Sequence, residues 1–154
     1  MNFNLECREV VKGEVVKVPI FVPDEVNPGS KYLVVGEAPG ENEEREKRPF
    51  IGKSGQMVFT IFFPKAGIRR EECDITNTIP YRPPGGKFYR LKEIGITKQQ
   101  FEETLRKKVV GKSWKMIIAI GDEALQSLTG RTGIGANRGG LLRDKWTGHR
   151  VFPM

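Results

Sequence analysis

Residues 31–56 read KYLVVGEAPGENEEREKRPFIGKSGQ. The stretch begins with Lys31 to Gly36, a nearly unbroken apolar run closed by glycine, which suits a strand covered on both faces better than a half-exposed one. Two Gly/Pro turns, a burst of charge and an isolated Pro-Phe between further glycines follow, a composition suited to the wall of a pocket rather than to a linker. Beyond them, Ser54 is placed to cap a helix through GQMVFTIFFPKAG, with Val58, Ile61 and Phe62 sharing one face and Pro64 disturbing the last turn.

The same alternation continues along the chain. Cys73 to Thr78 (CDITNT) reads as a second strand, ended by the turn residues Pro80, Pro83, Pro84, Gly85 and Gly86. Thr97 opens a polar helix, TKQQFEETLRKKVVG, with Phe101, Leu105 and Val109 at helical spacing. A third strand, KMIIAIG at 115–121, leads into the helix DEALQSLTG, with Asp122 near its start and Gly130 at its end, as helix polarity prefers. After the Gly/Arg-rich loop GIGANRGGLLRDKWTG comes a last short apolar run, HRVFPM. The expected fold is α/β and three-layer: a short parallel central sheet of about four strands flanked by helices, in a single domain over 1–154. Such sheets hold ligands at the carboxyl ends of their strands, here the loops 37–53, 77–90 and 121 onward.

With 154 residues, 38% of them hydrophobic, the chain can bury one core. No apolar run approaches a bilayer span, and MNFNLECREV carries charge where a signal peptide needs an apolar centre, so a cytoplasmic protein without a membrane partner is expected. Cys7 and Cys73 lie far apart and outside any CxxC, which argues against a disulfide framework or a zinc site. They read as reduced thiols, with no metal and no cofactor expected. Lys and Arg number 26 against 19 Asp and Glu, a net charge of +7. Basic clusters at Arg69-Arg70, Arg106 to Lys108 and Arg143 to Lys145, beside the acidic Glu41 to Glu46 segment, make a polarised surface suited to a phosphate backbone. Solvated faces produce such clusters as well, so charge alone gives nucleic-acid binding a lead and no more.

GEAPG, with backbone N–H groups free to approach an anion, could form a phosphate cradle, but neither G-x-G-x-x-G nor G-x-x-x-x-G-K-[ST] is present. Gly52-Lys53-Ser54 matches only the end of the latter. Taken together, GEAPG after the first strand, RPFIGKSGQ shortly after it, TN followed by YRPP, IIAIGDEALQSLTG and an RGG loop resemble the uracil-DNA glycosylase superfamily, most of all its family 4. The resemblance runs from about Lys31 to the last residue, and the first two motifs agree in order and spacing as well as in letters.

A glycosylase acting on a flipped base needs a snug pocket with an aromatic platform and a group that reads the Watson–Crick edge. The resemblance makes Phe50, presented by Pro49, the platform and Asn77 the reader of uracil O4 and N3. A Phe after Pro is often core, and an Asn at a strand end is often a turn former. The turn Glu37, Ala38, Pro39, Gly40 lines the implied pocket. Glu37 and Glu41 are the acids nearest it, able to stabilise an oxocarbenium-like sugar; with Asn77 they form the expected catalytic set. Ala38 stands where family 1 carries a water-activating Asp, a substitution that family 4 shares. Lys53, Arg82 and Arg138 are the candidate phosphate contacts.

Two departures from the family pattern follow. Family 4 members typically hold an iron–sulfur cluster on four cysteines, and two cannot build that site. The family also continues past its last strand into a His-Pro motif, whose histidine donates to uracil O2, and a DNA-wedging loop, whereas here the sequence stops at VFPM. Its one histidine, His149, precedes that strand and reads as a satisfied loop residue. Loss of one such donor elsewhere slows catalysis on the order of a hundredfold to a thousandfold, so weak activity or none is expected.

Three readings stay open. One is a cluster-free glycosylase, or the larger part of one truncated at its C-terminus. Another is a catalytically silent module of a larger protein that binds uracil-containing DNA, single- or double-stranded, or a replication or repair protein. The third, an unrelated doubly wound nucleotide-binding protein, is disfavoured by the missing phosphate motifs.

Overall fold

The computed structural model describes residues 8–11, 14–17 and 19–154. The first two segments form an antiparallel hairpin of β1 (Arg8–Val11) and β2 (Glu14–Lys17). Cys7, and with it the reading of that residue as a reduced thiol, lies outside the described residues.

The centre is a five-stranded sheet. Strand β3 (Tyr32–Gly36) lies between β4 (Cys73–Asn77) and β5 (Met116–Ala119), both parallel to it. The two-residue β6 (Leu142–Arg143) and the closing β7 (Arg150–Pro153) complete the order β4-β3-β5-β7-β6, with β7 parallel to β5 and β6 antiparallel to β7. The four parallel strands are those expected. Strand β6 lies inside the anticipated Gly/Arg-rich loop, because two residues carry no periodicity to read. Asp144 shapes the turn that follows, its carboxylate accepting the N–H groups of Trp146 (2.9 Å), Thr147 (2.7 Å) and His149 (2.6 Å).

Alternation along the strands sends side chains to both faces of the sheet. Leu33, Val35, Ile117 and Ala119 pack against α4 (Glu102–Val110) and α5 (Asp122–Thr129) through Leu105, Val109, Leu125 and Leu128. Val34, Ile75 and Ile118 pack on the other face against Phe50, Val58 and Phe63. The three expected layers are therefore present. Helix α4 is preceded by a tighter 3₁₀ turn, Lys98–Phe101, whose start Thr97 and Gln100 cap reciprocally.

The helix carrying Val58 and Phe63 departs from its sequence reading. It begins as α2 (Lys53–Gln56), runs without a break through a π-helical stretch, Met57–Phe62, and ends as α3 (Phe63–Lys65). Gly52, not Ser54, is its N-cap. The wide turn brings residues five apart onto one line, so Val58 and Phe63 are buried while Ile61 and Phe62 are exposed. Pro64, which has no N–H to donate, is the second residue of α3, just past the widened stretch.

Strand β4 would leave a bare sheet edge, which residues 21–27 cover. Glu25 and Ile75 exchange backbone hydrogen bonds of 3.0 and 2.8 Å, and Val22 N–H donates to Pro80 O at 2.9 Å. Phe21, Tyr81 and Phe101 stack edge to face in series, centroids 6.0 and 5.9 Å apart, joining this segment to the Pro-rich loop and to the entry of α4. No helix among the described residues is long and apolar enough to cross a membrane.

Candidate functional site

Strands β3, β4 and β5 end together at one edge of the sheet, where Gly36 pairs in register with Asn77. Beyond these ends lies a cavity of about 510 Å³, walled by the turn after β3, the start of α1 (Glu41–Glu46), the start of α2, Phe50 and Asn77. Of the residues singled out in the sequence, Glu37, Ala38, Pro39, Gly40, Glu41, Phe50, Lys53 and Asn77 all line it. Arg82 and Arg138 do not: Arg82 is half-buried on the loop after Asn77, and Arg138 is exposed beyond α6 (Ile134–Asn137).

Two of these side chains meet over Gly36. A Cβ placed on Gly36 would stand 2.4 Å from Phe50 Cζ and 2.6 Å from Asn77 Oδ1, so the absence of a side chain there lets the ring edge and the carboxamide oxygen converge. Phe50 is 8% exposed and has a left-handed backbone, φ +53°, unusual for a residue with a Cβ. Gly55 of α2 packs directly on its backbone; a Cβ at 55 would lie 2.1 Å from the Phe50 carbonyl. The Asn77 carboxamide has no hydrogen-bond partner among the described residues. An aromatic ring and an unengaged amide at one mouth can hold a planar polar ring by stacking and by directed hydrogen bonds.

Carboxylates line the rest of the cavity. Glu37 lies where the chain leaves β3; partial desolvation, then the charges of Glu123 and Asp122, hold its pKa above the ordinary carboxylate value. Glu41 is the exposed first residue of α1. Glu43, which the sequence reading passed over, is half-buried, and its Oε1 accepts the Gly52 N–H at 3.2 Å, tying the two helix starts together. Its signal was in the sequence: an acid three residues after the extended Gly40, where capping carboxylates stand. Neither Gly40 nor Gly52 supplies a side-chain cap, so the first-turn N–H groups of both helices, which have no intrahelical partner, begin at the cavity wall.

Lys53, Arg82 and Arg138 form no ion pair among the described residues, unlike Lys98, Lys108 and Lys112, which pair with Glu123, Asp24 and Asp74. His149 is elsewhere. It precedes β7, at the opposite end of the sheet from the cavity, where Nε2 accepts the Trp114 N–H at 3.3 Å and Nδ1 contacts Thr147 Oγ1 at 2.5 Å.

The model of the uracil DNA glycosylase superfamily matches residues 23–154 of this chain. Over 73 residues the chain is 41% identical to a Type-4 uracil-DNA glycosylase of Sulfurisphaera tokodaii, a match covering 47% of this chain and 33% of that protein. Over 97 residues it is 37% identical to a Type-4 uracil-DNA glycosylase of Saccharolobus solfataricus, covering 60% and 45%. A Type-4 uracil-DNA glycosylase of Thermotoga maritima is 41% identical over 66 residues, covering 43% and 34%. The matches thus span less than half the length of each of these curated relatives.

The iron–sulfur cluster expected of family 4 does not fit the residues present. Cys73 is fully buried in the core beneath the sheet, its thiol donates to Arg69 O at 3.5 Å, and desolvation pushes its pKa up to about 12. A ligating thiolate is disfavoured there.

Proposed function

This chain belongs to the uracil DNA glycosylase superfamily, and from that membership we propose that its cavity receives a uracil base extruded from DNA and that the reaction it serves is hydrolysis of the N-glycosidic bond. The observation that carries the reading is the convergence of Phe50 and Asn77 over Gly36. The Phe50 ring supplies a stacking wall, and the Asn77 carboxamide, an acceptor and a donor side by side, matches the O4/N3 edge of uracil. With Ala38 contributing no acid, the reading gives Glu37 and Glu41, with Glu43 beside them at the cavity wall, the task of polarising water and stabilising positive charge growing on the sugar. Lys53 at the cavity wall, with Arg82 and Arg138 beyond it, would contact phosphates on either side of the extruded nucleotide.

A second reading is base binding without efficient catalysis: among the described residues no histidine lines the cavity. His149 is committed to the turn before β7 and cannot donate to a leaving base at the other end of the sheet. Single-turnover uracil release from single-stranded uracil-containing DNA, at high protein and low salt, separates the two. Release by the native chain that Asn77→Ala abolishes supports excision in this cavity. Tight binding of uracil-containing DNA without release supports the binding module. Release unaffected by Asn77→Ala would overturn the pocket assignment.

A further inference from the structure

We infer that Arg70, oriented by Glu25, is a positioning residue that holds Phe50 in the left-handed turn from which its ring forms the stacking wall; the role rests on the base-pocket reading above. Arg70 Nη1 donates to Phe50 O at 2.8 Å and Nη2 donates to Pro49 O at 2.5 Å, so one guanidinium spans both carbonyls of the turn. Glu25 fixes the other side of the same group, accepting from Arg70 Nε at 2.8 Å and from Nη2 at 3.2 Å. Arg48 Nε also donates to Glu25, at 2.6 Å. The guanidinium carbon lies 4.5 Å from the centroid of Phe59, whose ring meets Phe50 edge to face at 6.2 Å. Arg70 therefore holds Phe50 twice, through its carbonyl and through a ring against its ring.

This geometry separates Arg70 from the basic residues proposed to meet DNA. All hydrogen bonds of its guanidinium run inward, to Glu25 and to the two carbonyls, and its side chain is 17% exposed. A planar fork can bridge two carbonyls and a carboxylate at once, whereas an ammonium is a point donor. Lysine at position 70 would keep the charge beside Glu25 and lose the bridge.

Two measurements on the full chain test the assignment, with wild type, Arg70→Lys, Glu25→Gln, Phe50→Ala and the Arg70→Lys/Phe50→Ala double variant. The first is the NMR one-bond Cα–Hα coupling and the ring-proton shifts of Phe50, which report its backbone region and ring seating whether or not any ligand binds. Arg70→Lys is expected to move both away from their native values, and Glu25→Gln to move them less in the same direction. The second is the ratio of Kd values for a single-stranded oligonucleotide carrying one deoxyuridine and for its thymidine counterpart. Stacking energies of single bases lead us to expect Arg70→Lys to reduce this discrimination about tenfold. Affinity for the thymidine control should hold, and Arg70→Lys should add nothing in the Phe50→Ala background.

Unchanged Phe50 couplings and shifts in both Arg70→Lys and Glu25→Gln would overturn the assignment. So would effects of Arg70→Lys and Phe50→Ala on the ratio that multiply, or an equal loss of affinity for both oligonucleotides, the mark of a phosphate contact. Should wild type fail to discriminate deoxyuridine, the base-pocket reading falls, and the Phe50 couplings still decide whether Arg70 sets that turn. If Arg70→Lys does not fold by circular dichroism, Glu25→Gln carries both measurements.

Discussion

Glu37 leaves β3 with its carboxyl close to those of Asp122 and Glu123, and desolvation together with these charges opposes its ionisation. A carboxyl whose pKa is raised in the folded state contributes stability that is fully present below its unfolded pKa and is lost as pH rises through the folded one. Ionising Glu37 at the cavity wall as pH rises therefore costs stability. Glu37→Gln should raise Tm at pH 7 by a small amount, the residue being only partly desolvated, and the gain should vanish as pH falls below 4.5; thermal unfolding followed by circular dichroism across this range checks it. Phe50 and Asn77 were legible from their motifs. Glu43 was not singled out among the four acids of Glu41 to Glu46: its spacing from Gly40 marks a capping position, but its contact with Gly52 N–H forms only when the chain folds back.

At the level of the element, α2 to α3 shows how a regular period misleads. A 3.6-residue turn groups Val58 with Ile61 and Phe62, yet the π-helical stretch buries Val58 with Phe63 and turns Ile61 and Phe62 to solvent. Local letters do not announce that widening; packing beneath β3, β4 and β5, and the contact of Gly55 with Phe50, select it. Phe63→Ala should cost about 3 kcal/mol, as large-to-small core changes do, whereas Phe62→Ala should stay within about 0.5 kcal/mol. Urea unfolding of the two variants measures the difference, and a reversed order would restore the regular helix. The start of the helix follows the same logic. Ser54 is the better capping letter, but Gly52 holds the extended cap position because its N–H must reach Glu43.

For the whole molecule, charge sets the expected behaviour toward DNA. Cations paired with acids add nothing to the surplus of +7, and Lys53, Arg82 and Arg138 form no such pairs among the described residues. If these meet phosphates, removing one should weaken binding to deoxyuridine and thymidine oligonucleotides alike and lower the slope of log K against log salt by roughly 1. Fluorescence anisotropy titrations at several salt concentrations measure both quantities, and an unchanged slope in Arg82→Ala would remove that residue from the DNA path. The sequence by itself determined the alternation of strands and helices, the four parallel strands and the family, since apolar runs, turn residues and motif order are local properties of the chain. Only the tertiary structure decided the π-helical register, the added strand β6, the convergence of Phe50 and Asn77 over Gly36, and the grip of Arg70 on the Phe50 turn. The last two depend on contacts between residues 14 to 45 positions apart, from Gly36 with Phe50 to Arg70 with Glu25, which no local pattern encodes and which form only when the sheet assembles.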